Sequence, residues 1–370
     1  MTARTAIDLC DLAPSHISAI APYQPGKPLS ELERELGITG AVKLASNENP
    51  VGASPLALAA ARAALDEVAR YPDGNGFELK RAIAAHHGVE EDTIVLGNGS
   101  NDVLELVARS FLAPGAAAVF AQHAFAVYAL ATQSIGATGI EVPAHAYGHD
   151  LPAIAAAITD RVQVVFIANP NNPTGTLAPP HEVHAFLEGV PGRVLVVLDE
   201  AYSEYLPDEL KSEGVAWLTE FPNLVVTRTF SKVYGLAGLR VGYGLAHAAV
   251  ADLMNRVRQP FNVSSMAQAA ATAALADHAF VAQSRERNRQ GMVQITAGLG
   301  DLGLDFVPSY GNFVSFRVAD APAIYQRLLR LGVIVRPIAA YGMPDFLRVS
   351  VGLPEENARF LAALAQALSR

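Results

Sequence analysis

Cysteine occurs once in the 370 residues, at Cys10, so no disulfide can close within the chain. Nothing here requires an oxidising compartment, and the expectation is a reducing, cytoplasmic one. No uninterrupted apolar run approaches the roughly 20 residues of a membrane span. The alanine-rich stretch 267–282 is broken by Asp277 and His278 and reads as a packed helix. The opening MTARTAIDLCDLAPSH has no apolar run after a basic start, so it does not read as a signal peptide. Basic residues are outnumbered, 27 Lys and Arg against 36 Asp and Glu, for a net charge of −9. Nucleic-acid binding through bulk charge is thereby excluded, while local sites for small anions are not.

Several catalytic signatures are also missing. There is no GxSxG and no P-loop. HEVH at 181–184 lacks HExxH spacing, HAYGH at 145–149 has no acidic or cysteine ligands beside it, and no metal site is read. GNGSND, Gly97 to Asp102, is not GxGxxG, because Asp102 stands at the last position. No internal repeat or low-complexity linker interrupts the chain.

What is present is a globular composition, 51% apolar and 17% charged, on a chain long enough for two domains. Residues 1–45 carry Pro14, Pro22, Pro25 and Pro28 and read as an irregular arm with a short helix near 29–36. Helices are expected at 55–70 and at 77–88, where His86 and His87 look like a solvated end. From there to residue 260, short runs apolar on both faces alternate with helical or loop segments: TIVLG, AAAVF, RVQVVFIA, RVLVVLD, NLVVTRTF and RVGYG. That pattern predicts an α/β domain on a mainly parallel sheet, with ligands gathered at the carboxyl ends of its strands. After Gln259-Pro260 a long helical region at 265–299 precedes strands and helices of a smaller α+β domain. The expected division is arm 1–45, packing on the small domain; large domain 46–260; small domain 261–370.

The candidate chemistry lies at the strand ends. TFSKVYGLAGLR, Thr229 to Arg240, sets Lys232 among small and apolar residues. Burial and a nearby cation favour the free amine that a nucleophilic or Schiff-base lysine needs. The Thr229 and Ser231 hydroxyls and the Arg240 guanidinium suit a phosphate. A lysine with a phosphate cradle points to pyridoxal phosphate. Asp199 ends the run VLVVLD and could pair with a pyridine nitrogen; taken alone, such an Asp also caps a following helix. Tyr202, three residues on, and Asn172, within NPNNPTG, could meet the ring's phenolic oxygen. Ser100 and Asn101 open the helix after GNG, where backbone N–H groups attract anions.

GNGS, NPNNPTG, DEAY, TFSKVYGLAGLRVG and LRVSVG occur here in the order of the fold type I, aspartate-aminotransferase-like enzymes that use pyridoxal phosphate. With ASNENPVG, RYPDGNG and GVIVRP added, the chain most resembles the histidinol-phosphate aminotransferase family, from about residue 20 to 365. The resemblance implies a large domain on a mainly parallel seven-stranded sheet and a smaller α+β domain. It implies that Lys232 forms a Schiff base with the cofactor and shuttles the substrate's Cα proton. Asp199 would pair with the pyridine nitrogen, and Asn172 and Tyr202 with the phenolic oxygen. Ser100, Asn101, Thr229, Ser231 and Arg240 would hold the phosphate. Phe125, in HAFAVY, would stack on the ring, and Tyr71, in RYPD, would reach the cofactor of a neighbouring subunit, implying a homodimer. Arg348, in LRVSVG, would grip the substrate carboxylate, whose place the phosphate of histidinol phosphate takes, with Arg336 of GVIVRP and Tyr23 of the arm beside it. The implied donors are histidinol phosphate and glutamate, the latter formed from 2-oxoglutarate. Aromatic amino acid aminotransferases and threonine-phosphate decarboxylases share these motifs and stay open as alternatives at this point.

Overall fold

The computed structural model describes residues 9–22 and 26–369. Its strands are β1 Val42–Lys43, β2 Ile94–Gly97, β3 Ala117–Ala121, β4 Thr138–Val142, β5 Val162–Ala168, β6 Leu195–Asp199, β7 Leu224–Thr229, β8 Gly242–Ala246, β9 Phe313–Arg317, β10 Val333–Ile334, β11 Arg336–Pro337 and β12 Phe346–Ser350. β2 to β8 form one seven-stranded sheet in the order β2-β8-β7-β6-β5-β3-β4. All its pairings are parallel except those of β8, which runs antiparallel to both β2 and β7.

Successive residues of a strand face opposite sides, so a strand buried on both faces must be apolar throughout. In β5, Val165 and Ile167 join one core while Val164 and Phe166 join the other. β6 divides likewise, Val196 and Leu198 against Leu195 and Val197. Helices cover both faces. Pro55–Ala64, Phe77–His87 and Pro180–Gly189 lie on one side; Ser100–Phe111, Val127–Ser134 and Ala248–Val257 lie on the other. Among the described residues no helix is long and apolar enough to cross a membrane.

The second sheet is antiparallel, ordered β11-β12-β9, and shares a separate core with helices Ala321–Arg330 and Pro354–Leu368. The expected boundary at 260/261 does not match this packing. Helix Ser265–Ala276 buries Ala267, Ala270, Ala271 and Ala274 in the core of the large sheet, against Pro55–Ala64 and Phe77–His87. Its small side chains let these helices approach closely. The long helical region expected at 265–299 is two helices, because Asp277 accepts from Phe280 N–H and caps a new helix, His278–Asp301. The Ser54 hydroxyl also donates to Asp277, which fixes the break against the start of helix Pro55–Ala64.

The arm differs from expectation too. Leu32 of helix Leu29–Leu36 packs with Ala45, Leu329 and Ile334, and β1 pairs with β10, all on the smaller unit. The earlier segment Ser15–Ser18 instead lies against helix Val127–Ser134 of the large one, where Gln133 donates to the His16 carbonyl. His87 is not a solvated end: its Nε2 lies 2.7 Å from the Tyr243 hydroxyl, and burial pushes its pKa down to about 3.

Candidate active site

Strand register gathers the motifs at one edge. Ala168, Asp199 and Thr227 sit side by side near the carboxyl ends of β5, β6 and β7. Because β8 runs backwards, it begins at that edge: Gly242 pairs with both Thr229 and Gly97. Arg240, just before β8, therefore meets the loop after β2. Their common cavity, about 190 Å³, is lined by Ser100, Asn101, Phe125, Asn172, Asp199, Tyr202, Thr229, Ser231, Lys232, Arg240, Arg336 and Arg348.

At one end is an anion cradle. Helix Ser100–Phe111 begins without a side-chain cap, and its first residues, Ser100 and Asn101, line the cavity, so the helix start can offer N–H groups to an anion there. Thr229 Oγ1 accepts from Ser231 N–H at 3.1 Å, and Arg240 Nη1 donates to Ser231 Oγ at 3.3 Å. Two glycines make the approach possible. A Cβ on Gly242 would stand 2.4 Å from Ser100 N, and one on Gly99, whose φ is +82°, would stand 2.4 Å from Arg240 Nη2.

Asp199 lies in the middle, only 5% exposed. Burial pushes its pKa up, while hydrogen bonds from the Tyr128 hydroxyl (2.8 Å) and Thr227 Oγ1 (3.0 Å) pull it back. Tyr128 stacks on Phe166 at 4.9 Å and meets Phe125 edge to face at 6.0 Å. Neither Tyr128 nor Thr227 was singled out in the sequence. Tyr128 follows Phe125 by three residues across the turn that opens helix Val127–Ser134, a short spacing that could have found it. Lys232 Nζ donates to the Ser46 carbonyl at 3.4 Å and stands 5.5 Å from the Tyr202 ring centre. Tyr202 is buried, which raises its pKa to about 12, so its hydroxyl stays protonated at neutral pH.

At the far end two arginines face each other across strands. Arg336 on β11 is the register partner of Arg348 on β12. Like charges directly opposite are unfavourable, and an anion between them offsets the repulsion. Arg348 is 6% exposed; it donates to the Asn172 side-chain oxygen and to the Ala45 carbonyl, and lies 5.2 Å from the Phe313 ring centre. With its oxygen held by Arg348, Asn172 has its amide NH2 left to donate.

The residues fit pyridoxal phosphate: an uncapped helix start with two hydroxyls and an arginine for the phosphate, a buried carboxylate for the ring nitrogen, and a lysine lining the same cavity. A model of aminotransferase class I and II matches residues 39–364. A histidinol-phosphate aminotransferase from Methylobacillus flagellatus is 63% identical over 97% of this chain and 98% of its own. One from Pseudomonas aeruginosa is 60% identical over 98% and 99%. The chain belongs to the histidinol-phosphate aminotransferase family. Among solved structures, the histidinol-phosphate aminotransferase of Sinorhizobium meliloti in complex with pyridoxal-5'-phosphate superposes with a TM-score of 0.89 at 30% identity, covering 99% of both chains.

One expected site residue stands apart in this aminotransferase. Tyr71 is 83% exposed and stacks on Phe261 at 4.7 Å, outside the cavity. Tyr23 lies outside the described residues, although the neighbouring Gly26 lines the cavity and a Cβ there would stand 3.6 Å from Arg336 Nη1. His184 is held between two carboxylates, Nδ1 3.7 Å from Glu188 and Nε2 3.1 Å from Glu220, each ring nitrogen serving a different one.

Proposed function

We propose that this aminotransferase binds pyridoxal phosphate and exchanges the amino group between histidinol phosphate and 2-oxoglutarate, giving imidazole-acetol phosphate and glutamate in histidine biosynthesis. Aromatic amino acid transamination and threonine-phosphate decarboxylation are not favoured beside relatives that are 58 to 63% identical and carry the histidinol-phosphate name. The observation that carries the reading is the Arg336–Arg348 register pair, which lines the same cavity as the cradle. Each amino donor presents an anionic group remote from its reacting carbon, a phosphate in one and a carboxylate in the other. Two guanidinium groups accept either.

Pyridoxal phosphate, when bound, supplies a carbonyl for the donor's amine and a ring that takes up the electron pair released at Cα. Ser100, Asn101, Thr229, Ser231 and Arg240 would hold its phosphate. The Asp199 carboxylate would keep a proton on the ring nitrogen. Asn172 and Tyr202 would donate to the phenolic oxygen, and Phe125 would pack on the ring face. Lys232 would anchor the cofactor through Nζ, then take the Cα proton and return it. Arg336 and Arg348 would hold the substrate anion, with Tyr23 closing from the arm.

Arg336→Ala is expected to raise KM for histidinol phosphate and for glutamate together, by about 10- to 100-fold, the scale of one charged hydrogen bond. An unchanged KM for both would remove Arg336 from the pocket. The substrate itself is tested by comparing kcat/KM for histidinol phosphate, phenylalanine and tyrosine with 2-oxoglutarate as acceptor. A strong preference for phenylalanine would overturn the assignment.

We also propose a cytoplasmic homodimer with shared sites and a division into arm, large unit and small unit. The exposed Tyr71–Phe261 pair, with Leu56, Val68 and Phe77 exposed on nearby segments, supports a subunit interface. Sedimentation should give the mass of two chains. Tyr71→Ala should weaken cofactor retention by about tenfold through loss of a phosphate contact. A fully active single chain would dispose of the shared site.

A further inference from the structure

Three consecutive residues, Ala45, Ser46 and Asn47, each make one hydrogen bond to a different member of the site. The Ala45 carbonyl accepts from Arg348 at 2.9 Å, the Ser46 carbonyl from Lys232 at 3.4 Å, and the Asn47 amide donates to the Tyr202 oxygen at 2.9 Å. Asn47 is 1% exposed and holds φ at +56°, in the left-handed region. The Asn312 amide donates to its carbonyl at 3.0 Å.

The hydrogen bonds of this network set the direction of each donor in turn. The Asn47 backbone N–H can only donate, and its partner at 2.8 Å is Ser350 Oγ, which therefore accepts. The Ser350 hydroxyl donates in turn to Asn47 Oδ1, 3.0 Å away. That choice turns Asn47 Nδ2 toward Tyr202, whose oxygen must accept. The Tyr202 proton cannot point at an N–H donor, and Tyr202 lines the cavity. Ser350 belongs to β12, two residues beyond Arg348, so the relay begins on the strand that bears the substrate arginine.

We propose that Asn47 is a positioning residue that makes the Tyr202 hydroxyl a hydrogen-bond donor into the cavity, toward an acceptor such as the cofactor's phenolic oxygen. The inference rests on the cofactor reading above. It concerns a residue that lines the same cavity but acts on the cofactor through Tyr202. Accepting a bond from Asn47 also strengthens the one Tyr202 donates. The charged groups around Tyr202 are Lys232, Arg348 and Asp199, and none of them is altered by changing Asn47.

The test is a pH titration of the visible absorbance of the lysine-bound cofactor in the holoenzyme. A donor to the phenolic oxygen stabilises its anionic form, so losing that donor moves the midpoint up. Tyr202→Phe should raise it by about one pH unit, a tenfold change. Asn47→Gly keeps the left-handed backbone and removes the amide, and should raise it by less. Asn47→Asp replaces the donor with an acceptor that captures the Tyr202 proton, and should match Tyr202→Phe or exceed it. In the Tyr202→Phe background, Asn47→Gly should add no further shift. A full shift there, or none in the native background, overturns the proposal. Should Asn47→Gly melt early as cofactor-free protein, Ser350→Ala carries the same comparison, because it frees the Asn47 amide to turn over. Wild-type protein without visible absorbance would instead sink the cofactor reading, a separate outcome.

Discussion

Lys232→Ala is expected to leave a folded protein that holds no cofactor covalently and transaminates at least about 10⁴-fold more slowly, the upper range for one lost acid–base group. The effect is large because two roles fall on one atom. Nζ would be both the anchor and the carrier of the Cα proton, being the only amine among the cavity's described lining residues. Its setting keeps it in place: the Ser46 carbonyl accepts from it and the Tyr202 ring stands 5.5 Å away. Folding should survive, since this side chain is only partly buried. Visible absorbance, turnover and a melting curve check the three claims separately. Turnover near the wild-type rate would end the assignment of Lys232. A small added amine such as methylamine should restore part of the rate if proton transfer is what was lost, because it can enter the space the side chain vacates.

The parallel sheet was legible because a strand covered on both faces has to be apolar at every position, and VQVVFIA and LVVLD are. β4 was not read as a strand. It forms the sheet's edge, pairs only with β3, and leaves Thr138, Gly139 and Glu141 exposed, so its sequence carries no such constraint. The break at Asp277 hid inside an alanine-rich stretch whose helical propensity is high on both sides. Most of the chemical residues were legible as motifs because they sit at or just beyond strand ends, where backbone geometry makes local demands on glycine, proline and asparagine, although Arg348 lies mid-strand in β12. Their mutual contacts were not. Arg240 reaches the loop after β2 only because β8 reverses direction. Tyr128 lies 71 positions before Asp199, and Asn47 lies 155 before Tyr202, separations that no local pattern spans.

Asp199→Asn should move activity and stability in opposite directions. Burial raises the pKa of this carboxyl above its ordinary value, so between the unfolded and folded pKa values the folded chain binds more protons than the unfolded one. Stability of the cofactor-free protein is therefore lost as pH rises through that window, and above it the ionised carboxylate is a standing cost. The hydrogen bonds from Tyr128 and Thr227 reduce this cost without abolishing the upward shift. Asparagine fills the same volume without the charge, and both hydroxyls can bond to its amide, since a hydroxyl donates or accepts. The cofactor-free variant should melt higher than wild type at neutral pH, with the gap closing as pH falls below the carboxyl's folded pKa. Activity should drop by about 10²- to 10³-fold or more, the scale of removing one preorganised electrostatic partner, because a neutral amide cannot hold a proton on the ring nitrogen. Scanning calorimetry of the cofactor-free forms across pH and steady-state rates of the loaded forms give the two signs independently. A variant that loses stability and keeps its rate would show that Asp199 serves the fold instead of the ring. The opposed signs follow from a charge that this fold buries at an energetic disadvantage, and which a cationic ring nitrogen would compensate.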